Sequence, residues 1–250
     1  MTMQQRKFGI LITTIIAAIV AVFLHAPIPQ DPAYHHFADA RTIFGIPNFW
    51  NVISNLPFVI VGLYGLIAYE RLYSSAIRQA YGVFCVGAIL VGLGSGFYHW
   101  SPSTFSLVWD RLPMTLMFMS LLTAMMMDRI SVRLKVALLP LIISGVVAVA
   151  YWYWTELQGA GDLRAYVVVQ FLPMLLIPLM LLLFTGGGIR TAWLCGMLLM
   201  YVLAKTCEHY DEQIYSLVRV ISGHSIKHIL AALAVLCAIF SMLRPETPRS

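Results

Sequence analysis

Residues 222–243 read SGHSIKHILAALAVLCAIFSML. A polar opening with two histidines runs directly into an apolar stretch, Ser225–Leu243. That stretch approaches the roughly 20 residues with which a helix crosses a hydrocarbon core. Gly223 suits a helix start or tight turn, which puts His224 and His228 in the first turns of the helix. Residues four apart share one helix face, so the two imidazoles can point at one ion. The HxxxH spacing is unspecific by itself, because two unrelated polar residues at a wetted helix end read the same way.

Similar apolar blocks fill the rest of the chain: Phe8–Leu24, Trp50–Tyr69, Ala80–Tyr98, Leu112–Met127, Val136–Trp154, Tyr166–Phe184 and Ala192–Lys205. Of the 250 residues, 60% are apolar and 11% charged, against about 25% charged in a soluble domain. No two-residue alternation of a membrane barrel appears, so the expected fold is all-α, an integral membrane helical bundle. The blocks Leu112–Met127 and Ala192–Lys205 are short for a span. Phe8–Leu24 follows Arg6 and Lys7 like a secretory signal, but Leu24-His25-Ala26-Pro27 is a poor cleavage site, and the block is read as a retained helix.

The basic residues are scattered between helices, which argues against a nucleic-acid surface. Cys85, Cys195, Cys207 and Cys237 lie in or beside apolar blocks without a CxxC pair and read as small hydrophobes. Gly186-Gly187-Gly188 is a loop, since no GK[ST] follows it. With the amino terminus inside, the cytoplasmic connections hold Arg6, Lys7, Arg71, Arg78, Arg129, Arg133, Lys135, Arg190, Arg244 and Arg249. The opposite set holds Arg41, Arg111, Arg164, Lys205, Arg219 and Lys227. The bias supports both termini inside. All seven histidines then fall at extracytoplasmic ends, and the chemistry is expected on that face.

An ionisable side chain inside a membrane marks a functional position. His99 closes a helix in Gly94-Ser95-Gly96-Phe97-Tyr98-His99-Trp100, with Ser95 one turn deeper on its face. An interfacial histidine is the alternative. With His224 and His228 it makes three imidazoles and an open fourth position, the ligand count of a catalytic zinc site. Asp110, in Val108-Trp109-Asp110-Arg111-Leu112-Pro113-Met114, reads equally as a helix N-cap or as a catalytic carboxylate. Asn51 and Asn55 share a face, with Ser54 beside it. They serve either interhelical hydrogen bonding or the orientation of zinc histidines. Glu208 could accept a histidine N–H or sit at a solvated helix end. Tyr151, Trp152, Tyr153 and Trp154 read as an aromatic belt.

Taken together, these segments resemble the alkaline ceramidase family, within the CREST group of seven-helix membrane hydrolases. The matching pieces are Phe49-Trp50-Asn51 with Ser54-Asn55, Ser95 before His99, Asp110 followed by Leu112-Pro113-Met114, and His224 with His228. The resemblance implies a single domain with a seven-helix core over residues 48–243, and Phe8–Leu24 as an extra N-terminal helix. It implies Zn2+ held by His99, His224 and His228, and Ser95 and Asp110 as active-site groups. The implied reaction is hydrolysis of the N-acyl amide of a ceramide-like lipid taken from the bilayer. Arg41–Asn51 looks like the bacterial branch, which implies a bacterial cytoplasmic membrane. Asn48 stands where the eukaryotic members carry an acid, and Tyr34–Asp39 does not reproduce their acidic cluster, so no calcium is expected. The rival readings are an esterase or GPI-remodelling relative, a heme protein with axial histidines, and a proton-coupled transporter. No protein partner is indicated.

Overall fold

A backbone in hydrocarbon must satisfy its own N–H and C=O groups, and a helix does so within one segment. The computed structural model describes residues 2–245, and these contain helices and no β-strand. In chain order they are α1 (Met3–Leu24), α2 (Phe49–Ile53), α3 (Leu56–Ile67), α4 (Arg78–Trp100), α5 (Thr104–Arg129), α6 (Leu138–Leu157), α7 (Arg164–Leu183), α8 (Thr191–His209), α9 (Asp211–Val218) and α10 (Gly223–Met242). Among the described residues, seven segments are long and apolar enough to cross a membrane: α1, α2 with α3, α4, α5, α6, α7 and α10. The chain is a multi-pass helical membrane protein. At 19 residues α8 has the length, but Lys205, Glu208 and His209 in its last turns keep it outside that set. Arg249 of the cytoplasmic set lies outside the described residues.

Two blocks differ from their sequence reading. The run Trp50–Tyr69 is broken at Ser54–Asn55, and α3 restarts with Pro57 in its first turn. A proline has no N–H to lose there, so the restart costs little. The short block Leu112–Met127 is the inner part of a 26-residue helix that begins at Thr104. Ser103 caps it, accepting from the Ser106 N–H while Ser106 accepts from the Ser103 N–H. Asp110 is therefore not an N-cap, and both it and Pro113 lie inside α5.

Helix association in a bilayer relies on close packing rather than on escape from water. α4 packs along α5 and α3, and α10 packs along α8 and α3. α1 lies beside α7 at the edge, with Leu11 as its buried side chain and Phe8 against Phe184. The closest approach of α4 to α5 falls at Gly94, where a β-carbon would overlap the Trp109 carbonyl. That contact sets the separation of Ser95 and Asp110, one residue on in each helix.

Gly94→Ala should force α4 and α5 apart. The expected cost is about 1–3 kcal/mol, the usual penalty of overpacking, seen as a lower thermal midpoint in detergent. Gly96→Ala, which meets nothing within 4 Å, should leave the midpoint unchanged.

Candidate metal centre and cavity

The carboxyl end of α4 and the amino end of α10 bring His99, His224 and His228 together, all buried. Their ring centroids are 4.8–5.0 Å apart. Among the described residues this is the one cluster of metal-ligating side chains, with one ligand nitrogen from each ring within 4.8 Å of the others. Gly223 lets α10 start this close to its neighbours, since a β-carbon there would run into the Cys207 carbonyl and the Asp211 backbone. Ser222 caps α10 by accepting from the Ser225 N–H. Asp211 Oδ1 accepts the His224 N–H at 2.6 Å, one of the donors a helix start leaves free.

The hydrogen bonds leave nitrogens to spare. His228 Nδ1 lies 2.8 Å from Ser54 Oγ and 3.4 Å from Asn55 Nδ2. His228 Nε2 and His99 Nδ1 are buried without a partner. Two orphaned imidazole nitrogens in a dry site suit a divalent ion. Zinc bonds of about 2.0–2.1 Å in a tetrahedron separate ligand atoms by roughly 3.4 Å. Side-chain shifts of up to about 0.8 Å each would close gaps of up to 4.8 Å to that spacing. The donor set, three imidazoles, suits zinc, as it does copper, iron and nickel. Phe37, from the segment preceding α2, covers the cluster with its ring 4.6 Å from His99 and 5.1 Å from His224.

Asp110 faces α4, where the Ser95 hydroxyl is its hydrogen-bonding neighbour. Both are buried or half-buried and line one cavity together with His228. The other sequence candidates divide. Asn55 touches His228. Asn51 touches none of the histidines: its Nδ2 donates to the Asp39 carbonyl and its Oδ1 accepts from Ser225 Oγ. Glu208 accepts from no histidine either. It pairs with Lys205 and with Lys227, 2.8 Å from the latter's Nζ. Lys227 Nζ is in turn 3.1 Å from His224 Nε2. Glu208 is thus neither a direct histidine partner nor a solvated end; it reaches the site through Lys227. Trp152 is not part of an interfacial belt, being fully buried while Tyr151 and Trp154 on either side are exposed.

Sequence reasoning passed over Lys227 and Arg111. The available signal was a charge at each site flanking a candidate ligand or acid, inside a membrane segment.

These groups stand at one end of a cavity of about 310 Å3. Ser95, Asp110, Lys227 and His228 line its polar end, and Phe84, Met117, Leu121 and Ala238 line its depth. α7 and α8 form opposite walls, α7 packing on α5, α6 and α1 and α8 on α10. The two share few contacts with each other, and Gln170 of α7 faces Tyr201 of α8 across the cavity.

The covering segment is fixed by a second polar knot. Asp39, on the segment preceding α2, receives Arg41 Nε at 2.8 Å and Nη2 at 2.7 Å, and Arg41 Nη2 also donates to the Val220 carbonyl. Burial alone would push the Asp39 carboxyl up, but the hydrogen bonds and charge of Arg41 outweigh it and hold Asp39 below its ordinary value.

Compared with known proteins, residues 42–245 match the family model described as Ceramidase. The match leaves α1 outside. No curated protein matches the chain.

A depressed carboxyl stabilises the fold above its unfolded value of about 3.9 and loses that contribution as pH falls through the lower folded value. Thermal midpoints measured between pH 7 and pH 3 should therefore drop below pH about 4. Asp39→Asn should start lower at pH 7 and show a shallower drop.

Proposed function

The chain belongs to the ceramidase family, and on that premise we propose that it is a zinc-dependent intramembrane hydrolase. Its reaction cleaves the N-acyl amide of ceramide-like sphingolipids to a free fatty acid and a long-chain base. The observation that carries this reading is the buried histidine triad, whose His228 shares the polar end of a largely apolar cavity with Asp110.

His99, His224 and His228 hold the metal, His228 oriented by Ser54 in the manner of an outer hydrogen bond that fixes a ligand's tautomer. When bound, zinc acidifies a water and polarises a carbonyl oxygen. Asp110 takes the proton of the attacking water and passes it to the amine as the carbon–nitrogen bond breaks. The Ser95 hydroxyl donates to the oxygen that gains charge at the tetrahedral carbon. Phe37 shields the histidines from bulk water, which strengthens each of these interactions. The lipid tails reach the cavity sideways, between α7 and α8, whose direct contacts are few. Met114, Met117, Met174 and Met197 in its walls adapt to different chains.

The catalytic core is residues 48–243, with α1 an addition at its edge. With α8 counted as a further crossing, the distribution of basic residues supports a site on the extracytoplasmic side, and the proposed setting is a bacterial cytoplasmic membrane.

Purified variants should separate metal binding from turnover when zinc content and fatty-acid release from ceramide are measured together. His224→Ala should lose both. Asp110→Asn should retain zinc and lose activity by about 10²–10⁴-fold. Ser95→Ala should retain zinc and lose about 10²–10³-fold. Undiminished hydrolysis by Asp110→Asn would remove the carboxylate from the mechanism.

A further inference from the structure

Arg111 is buried to 6% exposure in the same cavity that Asp110 lines. Successive residues on a helix point about 100° apart. Asp110 thus faces Ser95 on α4, while Arg111 turns toward α6 and α7. There its guanidinium carbon lies 4.1 Å from the Trp152 ring centroid, 5.0 Å from that of Tyr166 and 5.8 Å from that of Tyr34. Its Nη2 donates to Gln30 Oε1 at 2.6 Å. No carboxylate lies within ion-pairing distance of it among the described residues. Glu156, in the same network, accepts instead from the Gln30 N–H and the Trp152 indole.

Aromatic rings satisfy the faces of a guanidinium, but its N–H edges still need acceptors. Arg111 Nη1 has none. The charges around the polar end are also unequal. Arg111, Lys205 and Lys227 are the cations there, and Asp110 and Glu208 the carboxylates. Glu208 is engaged by both lysines. Arg111 is left without a carboxylate bonded to it, preorganised by its cage and one residue from the proposed general base. A buried, unpaired charge is costly to the fold, and an anionic oxygen group repays that cost better than a neutral hydroxyl.

We infer that Arg111 is a specificity-determining residue that binds an anionic oxygen group, such as a phosphate ester, on the head of the lipid amide. This rests on the ceramidase reading for the reaction but on Arg111 alone for the head group. The aromatic cage fixes the fork, Gln30 occupies one of its terminal nitrogens, and the other addresses the lipid. The acyl amide meanwhile lies at Asp110 and Ser95.

The test compares N-acylsphingosine with its 1-phosphate, carrying the same acyl chain, on the zinc-loaded protein in detergent. The wild type should favour the phosphate by at least about tenfold in kcat/KM, the scale of one charge-assisted hydrogen-bonded contact. Arg111→Gln should lose most of that preference through KM, and Arg111→Lys should keep part of it. Equal use of the two lipids by the wild type, or an undiminished preference in Arg111→Gln, would overturn the inference. Binding of dodecyl phosphate and dodecyl alcohol to the metal-free wild type, Arg111→Gln and Arg111→Lys gives a readout independent of turnover. It is followed by tryptophan fluorescence, with Trp152→Phe identifying the signal. A preference for the phosphate that Arg111→Gln loses and Arg111→Lys partly keeps supports the inference; equal binding by the wild type, or a preference that Arg111→Gln retains, defeats it. If neither amide is hydrolysed, the ceramidase reading fails, while the dodecyl phosphate result still decides the role of Arg111.

Discussion

A polar atom facing hydrocarbon has no water to fall back on, and the architecture follows from that constraint. The chain breaks helix α2–α3 at Ser54–Asn55, and the groups near the break are taken up at once. Asn55 Nδ2 donates to the Asn51 carbonyl, Asn51 holds Ser225 and the Asp39 carbonyl, and Ser54 meets His228. This knot ties the break, the covering segment and the start of α10 into one unit. His228 is oriented by Ser54 and Asn55, which are themselves bonded to the Asn51 carbonyl.

The unit is completed by steric rather than polar means. At Gly94 and Gly223 backbone meets backbone, bringing α5 to α4 and α10 to the junction of α8 and α9. Those two contacts converge three helix ends on one point. The candidate site therefore lies beside two close backbone contacts, and the cavity lies next to it, lined by larger apolar side chains.

Much of this was legible in the sequence. Apolar runs announce helices because hydrocarbon admits few alternatives, and His99, His224, His228, Ser95 and Asp110 stood out as polar exceptions within or beside those runs. What escaped was set by tertiary partners. The true start of α5 depends on the Ser103–Ser106 capping box, which precedes the apolar run and shows no hydrophobic signal. Trp152 looked like its aromatic neighbours until the fold turned it inward onto Arg111. Glu208 looked solvated because Lys227, 19 residues further on, is brought to it only by the packing of α10 on α8. In each case composition gave the residue's character and a distant segment gave its partner.

The proposed lateral entry between α7 and α8 would change the thermodynamics of recognition. A tail sliding through it leaves one oily medium for another, so the partition free energy that drives apolar ligands out of water is almost absent. Every membrane lipid is then a competitor of nearly equal standing for the hydrophobic depth, present at far higher abundance than any one substrate. Discrimination has to be made where the chains end, by the few polar contacts that ordinary bilayer lipids fail to match.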